Sequence, residues 1–459
     1  MTSKKPLRTF QIVMINVIAV DSIRTLPFSA ELGFSLVFFY LIAALFFLIP
    51  SGLIAAELGA TWPSTGGIYV WVREAFGKKI ALCLIFLNWI YNVFWYPTIM
   101  ALMAGTLTYF FKPELSQNKL YMAVMILALF WGATLLNLLG MKISSFVSTL
   151  GALVGTILPM AFITFLGLLW LINKEPIQIT FSWDSFFPDF SNTGNLAFLS
   201  SVLFGLLGLE MAATHAAEMK NPQKDYPRAI FISTAIIMST IVLSSLAIAI
   251  VIPHKNLSLV TGILQAFLVF FKGYHLEWMV PLIAAAILIG GLSSVSAWII
   301  GPTKGLMVAA KDGSLPLLLS GKNKHGVPVN VLLLQGILVS ILCLAFVLMP
   351  TVNASFWLLS QITAQLALLV YLALFIAGIR LRYKQRAIKR AFYIPGGQFL
   401  GMWVIGLMGI LACIIGFCLG FIPPQEIGIH SPIAYELALI GGIVIAILIP
   451  LGIRCQGNK

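Results

Sequence analysis

Long uncharged apolar runs dominate the chain, and each approaches the length that crosses a lipid bilayer. A helix of roughly 20 apolar residues spans about 30 Å of hydrocarbon. Because lipid offers no partner for backbone N–H and C=O groups, such runs must be helical. The pattern predicts twelve spans, numbered here in chain order: residues 10–32, 33–60, 80–111, 120–140, 143–172, 194–218, 226–253, 276–310, 328–349, 354–380, 399–421 and 433–453.

Composition agrees with a chain that lies mostly in lipid. Of the 459 residues, 60% are hydrophobic and 9% are charged, whereas a soluble domain carries roughly 25% charged residues. A large soluble helical core is therefore excluded, and the fold class is an all-α integral membrane protein. Connections between the predicted spans are short, so residues 1–459 are expected to form a single transmembrane domain.

The net charge of +13 follows the predicted topology. With a cytoplasmic N-terminus, 22 of the 28 Lys and Arg residues fall on inside segments and span ends, and Arg24 lies within a span. The five outside are Lys112, Lys119, Lys174, Lys255 and Lys272. This asymmetry predicts that both termini are cytoplasmic, and it argues against a nucleic-acid partner. The five cysteines lie in spans or at the cytoplasmic tail, so no disulfide is expected.

Two spans contain an interrupted helical pattern. Charges and a proline interrupt span 1, while two glycines and a carboxylate interrupt span 6. The two breaks lie five spans apart in chain order, an odd number, so the two helices cross the membrane in opposite directions. Paired interruptions of this kind indicate the substrate site of a transporter. The predicted substrate-binding residues are Val20, Asp21, Ser22, Ile23, Arg24, Phe204, Gly205, Leu207, Gly208 and Glu210.

The charged residues at the breaks leave alternatives open. Asp21 and Arg24 lie three residues apart, so in a helix they would neutralise each other. Alternatively, Arg24 binds a substrate carboxylate or acts as a gate, while Asp21 binds an amine. Glu210 either holds the unwound segment or takes up a proton, and His215 either titrates or packs as a hydrogen-bonded core residue. Asp21, Glu210 and His215 are the candidate proton sites.

Polar and aromatic residues on other spans are candidates for gating or for lining the pathway, or else simply pack between helices. They are Asn88, Tyr91, Asn92 and Trp95 on span 3, Trp298 on span 8 and Ser360 on span 10. The chain contains no nucleotide-binding, metal-binding or hydrolytic motif. We therefore expect neither an enzyme nor a cofactor, and uphill transport would be driven by a second solute or by protons.

Several motifs resemble those of the amino acid–polyamine–organocation (APC) superfamily. Residues 56–77, 204–222 and 304–316 are similar to its second helix and following loop, its sixth helix, and its eighth helix and following loop. Residues 187–191, 225–227, 326–329 and 394–397 resemble bacterial glutamate:GABA antiporters. The resemblance covers nearly the whole chain.

The resemblance implies a LeuT-like five-plus-five inverted repeat, over residues 8–172 and 194–380, followed by two helices at 399–454. It implies an amino acid antiporter or proton symporter of a bacterial inner membrane, with Phe204 and Trp298 as aromatic gates. A polyamine exchanger and an amino acid sensor that does not transport are the alternatives. The expected partners are the lipid bilayer, an amino acid or amine, and protons; no nucleic acid is expected, and the protein would be a monomer or homodimer.

The chain departs from the superfamily pattern at two places. Val20-Asp21-Ser22 stands where many members have a Gly-Ser-Gly-type break in helix 1. An aspartate there repels a carboxylate unless Arg24 compensates or the aspartate turns away. Span 5 contains no lysine, so the mechanism of relatives that use a lysine there does not carry over.

Overall fold

The structure is a computed structural model. It describes residues 8–62, 67–139, 150–151, 153–190, 196–210, 219, 221–311, 315–424 and 431–452. The chain folds as helices joined by loops, which confirms the all-α membrane class with about twelve helices. The division into inverted repeats stays a prediction.

Ten helices in the described residues are long and apolar enough to cross a membrane, and a bent helix pair makes an eleventh span. Span 1 is the pair Thr9–Val20 and Ile23–Ala30, and the described helix of span 6 is Phe198–Gly205. Spans 2 to 5 and 7 to 12 are Gly33–Thr61, Lys78–Thr108, Lys119–Leu138, Leu153–Ile172, Pro222–Val251, Val280–Lys311, Val329–Leu348, Val352–Lys384, Leu400–Leu419 and Pro432–Gly452.

Two of the helices that lie between spans in the described chain have nine residues or more. Ile68–Phe76 follows span 2, and Gly262–Gly273 lies between spans 7 and 8. The second was not predicted, because its 12 residues are too few to cross the bilayer and follow a polar turn.

Span 1 breaks where the sequence predicts. The first half-helix ends at Val20, Asp21 and Ser22 are extended, and a 3₁₀ turn begins at Ile23. The helix axis bends by 44° between the two half-helices. Pro27 stands in the first turn of the second half-helix, where its missing N–H costs no hydrogen bond.

Span 6 breaks beside span 1. Its described helix ends at Gly205, and Gly208 adopts φ +130°, a conformation open to glycine and strained for other residues. A Cβ on Gly208 would lie 2.8 Å from the carbonyl oxygen of Ala19. The two breaks are therefore in direct contact, and the glycine allows it.

Spans 3 and 10 form the centre of the bundle. In their most apolar stretches 72% and 78% of the residues are buried, against 22% in span 12. Spans 3 and 10 pack on each other, and span 3 also packs on span 8. Span 12 lies at the periphery.

A buried ionic cluster ties span 2 to span 10 at their predicted cytoplasmic ends. Glu57 accepts hydrogen bonds from Nε and Nη2 of Arg382, both at 2.5 Å, and lies 3.1 Å from Nε of Arg390. The backbone N–H of Ile394 also donates to Glu57 at 2.9 Å. The cluster fixes the loop between spans 10 and 11 against span 2.

Candidate substrate-binding site

A cavity of about 120 Å³ lies between the breaks of spans 1 and 6. Spans 3, 5 and 8 close its other sides. The two breaks contribute residues 18–25, Phe204, Gly205, Leu207 and Glu210. The other lining residues are Tyr91, Asn92, Trp95, Ile99, Leu102, Gly155, Thr156, Ile287, Gly290, Gly291, Ser294 and Trp298.

The structure gathers most of the predicted site residues around this cavity. Those that line it are Val20, Asp21, Ser22, Ile23, Arg24, Phe204, Gly205, Leu207, Glu210, Tyr91, Asn92, Trp95 and Trp298. Three predicted residues do not line it. Gly208 packs against Ala19, Ser360 contacts Arg24, and the Asn88 carbonyl accepts a hydrogen bond from Nδ2 of Asn92 at 2.7 Å. His215 lies outside the described residues.

Arg24 is a buried cation on the cavity wall. Its side chain comes from the 3₁₀ turn after the break, and the residue is 2% exposed. Nη1 donates to Ser360 at 3.2 Å and to Thr98 at 3.4 Å, and the guanidinium carbon lies 4.9 Å from the centroid of the Phe204 ring. Nε has no hydrogen-bond partner, and within the described residues no carboxylate pairs with the guanidinium. The site therefore holds a positive charge that can receive an anion.

Asp21 turns away from Arg24. Both carboxylate oxygens lie within hydrogen-bond distance of Oγ1 of Thr240 on span 7, at 3.1 and 3.0 Å. The self-neutralising pair of Asp21 and Arg24, one of the two sequence-based alternatives, is not formed. Its i, i+3 spacing brings two side chains together only on a continuous helix, and the break removes that condition.

Glu210 is held by span 10. The hydroxyl of Tyr371 donates to Oε2 of Glu210 and accepts from the backbone N–H of Gly208 at 3.0 Å. One tyrosine thus satisfies a freed amide of the break and the carboxylate that follows it. This geometry supports the interpretation that Glu210 holds the unwound segment.

Comparison with known protein families agrees with this architecture. The family model for amino acid permeases matches residues 7–445. The chain belongs to the amino acid permease family, within the APC superfamily. It is a transporter-family protein and not an enzyme.

Three relatives illustrate the range of this permease family. An uncharacterised transporter of Legionella pneumophila is 52% identical over 98% of this chain and 96% of its own. A glutamate/gamma-aminobutyrate antiporter of Lactococcus lactis is 30% identical over 98% and 90%. A probable agmatine/putrescine antiporter of the same species is 27% identical over 67% and 65%.

Aromatic side chains contribute to the apolar part of the permease cavity. Trp95 and Trp298 lie with ring centroids 6.2 Å apart, and the Tyr96 hydroxyl donates to the carbonyl of Trp298 at 2.9 Å. The Arg24 guanidinium lies over the ring of Phe204, and both residues line the cavity. A mostly apolar pocket with a few placed polar groups is typical of small-molecule sites.

Three hydroxyl groups that were not predicted from the sequence bind the three charged residues at the breaks of the permease. Thr98 contacts Arg24, Thr240 contacts Asp21, and Tyr371 contacts Glu210. An isolated hydroxyl in an apolar helix carries no periodic signal, so only the fold reveals these partners. Gly155 and Gly290 were also missed: a Cβ on Gly155 would lie 2.3 Å from the backbone nitrogen of Gly290, so spans 5 and 8 meet backbone to backbone beside the cavity.

Proposed function

We propose that this permease is an amino acid antiporter of a bacterial inner membrane, exchanging an amino acid for the amine made from it by decarboxylation. The proposal rests on Arg24, which has no carboxylate partner among the described residues and lies on a cavity built jointly by the breaks of spans 1 and 6. Interrupted helices leave backbone N–H and C=O groups for polar substrate groups. Arg24 adds a cation suited to a carboxylate.

The pair of substrates proposed is L-glutamate and 4-aminobutyrate. Decarboxylation removes the α-carboxylate of glutamate and leaves the side-chain carboxylate in the product. A single arginine can therefore bind the group that the two molecules share, while the backbone at the breaks receives the part that differs. The 30% identical relative named for these two substrates supports the same pair.

Diamines fit this cavity less well. Agmatine and putrescine, the substrates in the name of the 27% identical relative, carry two positive charges and no carboxylate. In a partly buried site, a like charge beside Arg24 costs on the order of a few kcal/mol. We therefore propose an amino acid exchanger and not a polyamine exchanger.

The test is exchange in liposomes containing the purified protein. Radiolabelled L-glutamate should enter vesicles preloaded with 4-aminobutyrate or glutamate much faster than vesicles that are empty or loaded with putrescine. Binding of glutamate in detergent without flux into any vesicles would favour an amino acid sensor. Equal entry into empty vesicles would exclude obligatory exchange.

A further inference from the structure

The carboxyl group of Asp21 faces a hydroxyl that can serve either of its protonation states. Oγ1 of Thr240 lies 3.0 and 3.1 Å from the two carboxylate oxygens, and 2.9 and 3.0 Å from the carbonyls of Ile236 and Ile237. One hydroxyl proton cannot serve all four acceptors. When Asp21 is ionised, Thr240 donates to it; when Asp21 is protonated, Asp21 donates to Oγ1 and Thr240 donates to its own helix.

The surroundings of Asp21 are buried and offer its charge little compensation. Asp21 is 7% exposed and caps the C-terminal end of the half-helix Thr9–Val20. The negative end of a helix dipole opposes a carboxylate there. The charged groups that face the cavity beside it are Arg24 on the same break and Glu210, which Tyr371 already binds. From span 2 the Tyr40 hydroxyl pairs with Ser29, and from span 3 Tyr91 lines the cavity.

We propose that Asp21 and Thr240 form a proton site that is filled when the anionic substrate binds and emptied when the amine binds. When Asp21 is protonated, the break of span 1 has a net charge of +1, from Arg24. When Asp21 is ionised, the charges of Asp21 and Arg24 cancel. L-glutamate carries a net charge of about −1 at neutral pH, while 4-aminobutyrate carries about zero. Each substrate thus has a protonation state of Asp21 that matches its charge.

The consequence, which rests on the proposed function, is an exchange that moves a proton together with glutamate. The net charge of Asp21, Arg24 and the bound substrate together is the same for glutamate and for 4-aminobutyrate, because the proton on Asp21 compensates for the extra carboxylate of glutamate. By linkage, a proton that promotes glutamate binding is itself taken up when glutamate binds. Thr240 is accordingly a positioning residue, and Asp21 is the proton carrier.

The decisive experiment measures protons bound per substrate. Titration calorimetry of the purified protein, in two buffers with different ionisation enthalpies, gives this number directly. We expect uptake of about one proton per L-glutamate and about none per 4-aminobutyrate above the midpoint pH of the site. In that range the affinity for glutamate should fall about tenfold per pH unit, as one linked proton requires. Equal proton uptake with both substrates, or none with either, overturns the proton site.

Variants assign the proton to its residue. Asp21→Asn should remove both the proton uptake and the pH dependence of glutamate affinity. Glu210→Gln tests the rival carboxylate: whatever its effect on affinity, the number of protons taken up per glutamate bound should stay at about one. Thr240→Val should raise the midpoint pH, because the ionised carboxylate loses a charge-assisted hydrogen bond, which is stronger than the neutral one that the protonated form loses. Ser239→Ala is the matched control: Ser239 is the exposed neighbour on the same helix, its hydroxyl bonds only Ala235, and its removal should change nothing. Loss of proton uptake in Glu210→Gln but not in Asp21→Asn would overturn the assignment.

The proton site and the proposed function can fail separately. A wild-type protein that exchanges glutamate for 4-aminobutyrate but takes up no proton retains the proposed function and refutes the proton site. A wild-type protein that neither binds nor exchanges either substrate refutes the proposed function itself. The wild-type titration decides between these outcomes even if Asp21→Asn does not fold.

Discussion

At the scale of single residues, three charges in the middle of the bundle find three different environments. The carboxylate of Asp21 is hydrogen-bonded to Thr240, and that of Glu210 to Tyr371. Arg24 contacts two hydroxyl groups and the Phe204 ring, and its Nε has no hydrogen-bond partner. A charge in the centre of a membrane protein is costly and usually serves a functional purpose. Of the three, Arg24 is the one for which we propose a ligand as partner, since no carboxylate among the described residues pairs with it.

Arg24 substitutions should separate charge from geometry. Arg24→Ala should weaken glutamate binding about 10- to 150-fold, the equivalent of about 1.5–3 kcal/mol for a hydrogen bond to a charged group. The glutamate affinity of Arg24→Lys should lie between those of the wild type and Arg24→Ala, since lysine keeps the charge but lacks the planar guanidinium that can bind both carboxylate oxygens. The measurement is the concentration of glutamate that half-saturates exchange. Arg228→Ala, on the exposed surface of span 7, is the control, and unchanged kinetics in Arg24→Ala would remove Arg24 from the site.

Glu57 should matter for stability. Its carboxylate is 1% exposed and is shared by Arg382 and Arg390, so Glu57→Gln leaves two buried cations without an anion. Breaking such a cluster costs about 3–5 kcal/mol, and the apparent melting temperature in detergent should fall clearly. Glu74→Gln is the matched control, because Glu74 is partly exposed beside Arg73 and such pairs contribute about 0–1 kcal/mol. Equal melting temperatures for the two variants would contradict this role of Glu57.

At the scale of elements, the two broken helices depend on each other. The extended residues of span 1 leave room for span 6, and Gly208 brings its backbone against Ala19. Tyr371 of span 10 then binds the amide of the break and the carboxylate that follows it. The shape of the cavity therefore depends on the backbone of both breaks.

Gly208→Ala should disturb this contact. The added Cβ would meet backbone at 2.8 Å and would occupy a conformation that side chains rarely adopt, at a cost of about 1–3 kcal/mol. We expect a lower melting temperature and slower exchange. Gly132→Ala, in span 4 with open space at its Cβ, should be neutral or stabilising by up to about 1 kcal/mol. Wild-type exchange by Gly208→Ala would show that the close approach of the breaks is dispensable.

The elements were predicted better than their contacts. Hydropathy alone located span 3 at 80–111, against Lys78–Thr108 in the structure, and span 10 at 354–380, against Val352–Lys384. The break at Asp21 was predicted because charge and proline interrupt an apolar run. The partner of Asp21 was not predicted, because Thr240 lies 219 residues away in an ordinary apolar helix. Long-range pairing of this kind depends on how the helices pack.

At the scale of the whole molecule, the charge distribution predicts an orientation. Basic residues concentrate on one side, which predicts cytoplasmic termini. In a variant without native cysteines, a membrane-impermeant maleimide applied to spheroplasts should label Lys255→Cys and spare Lys322→Cys, both of which are exposed positions. Lysis of the spheroplasts is the control and should make both accessible. The reverse labelling pattern would invert the topology.

If substrate binds in the cavity between the two breaks, as we propose, a structure of the protein saturated with L-glutamate will show it there. We expect ligand density bounded by Ser22, Gly205 and Trp298, with one carboxylate within hydrogen-bond distance of Arg24. Density that lies elsewhere in the bundle, with this cavity empty at saturating glutamate, would contradict the claim.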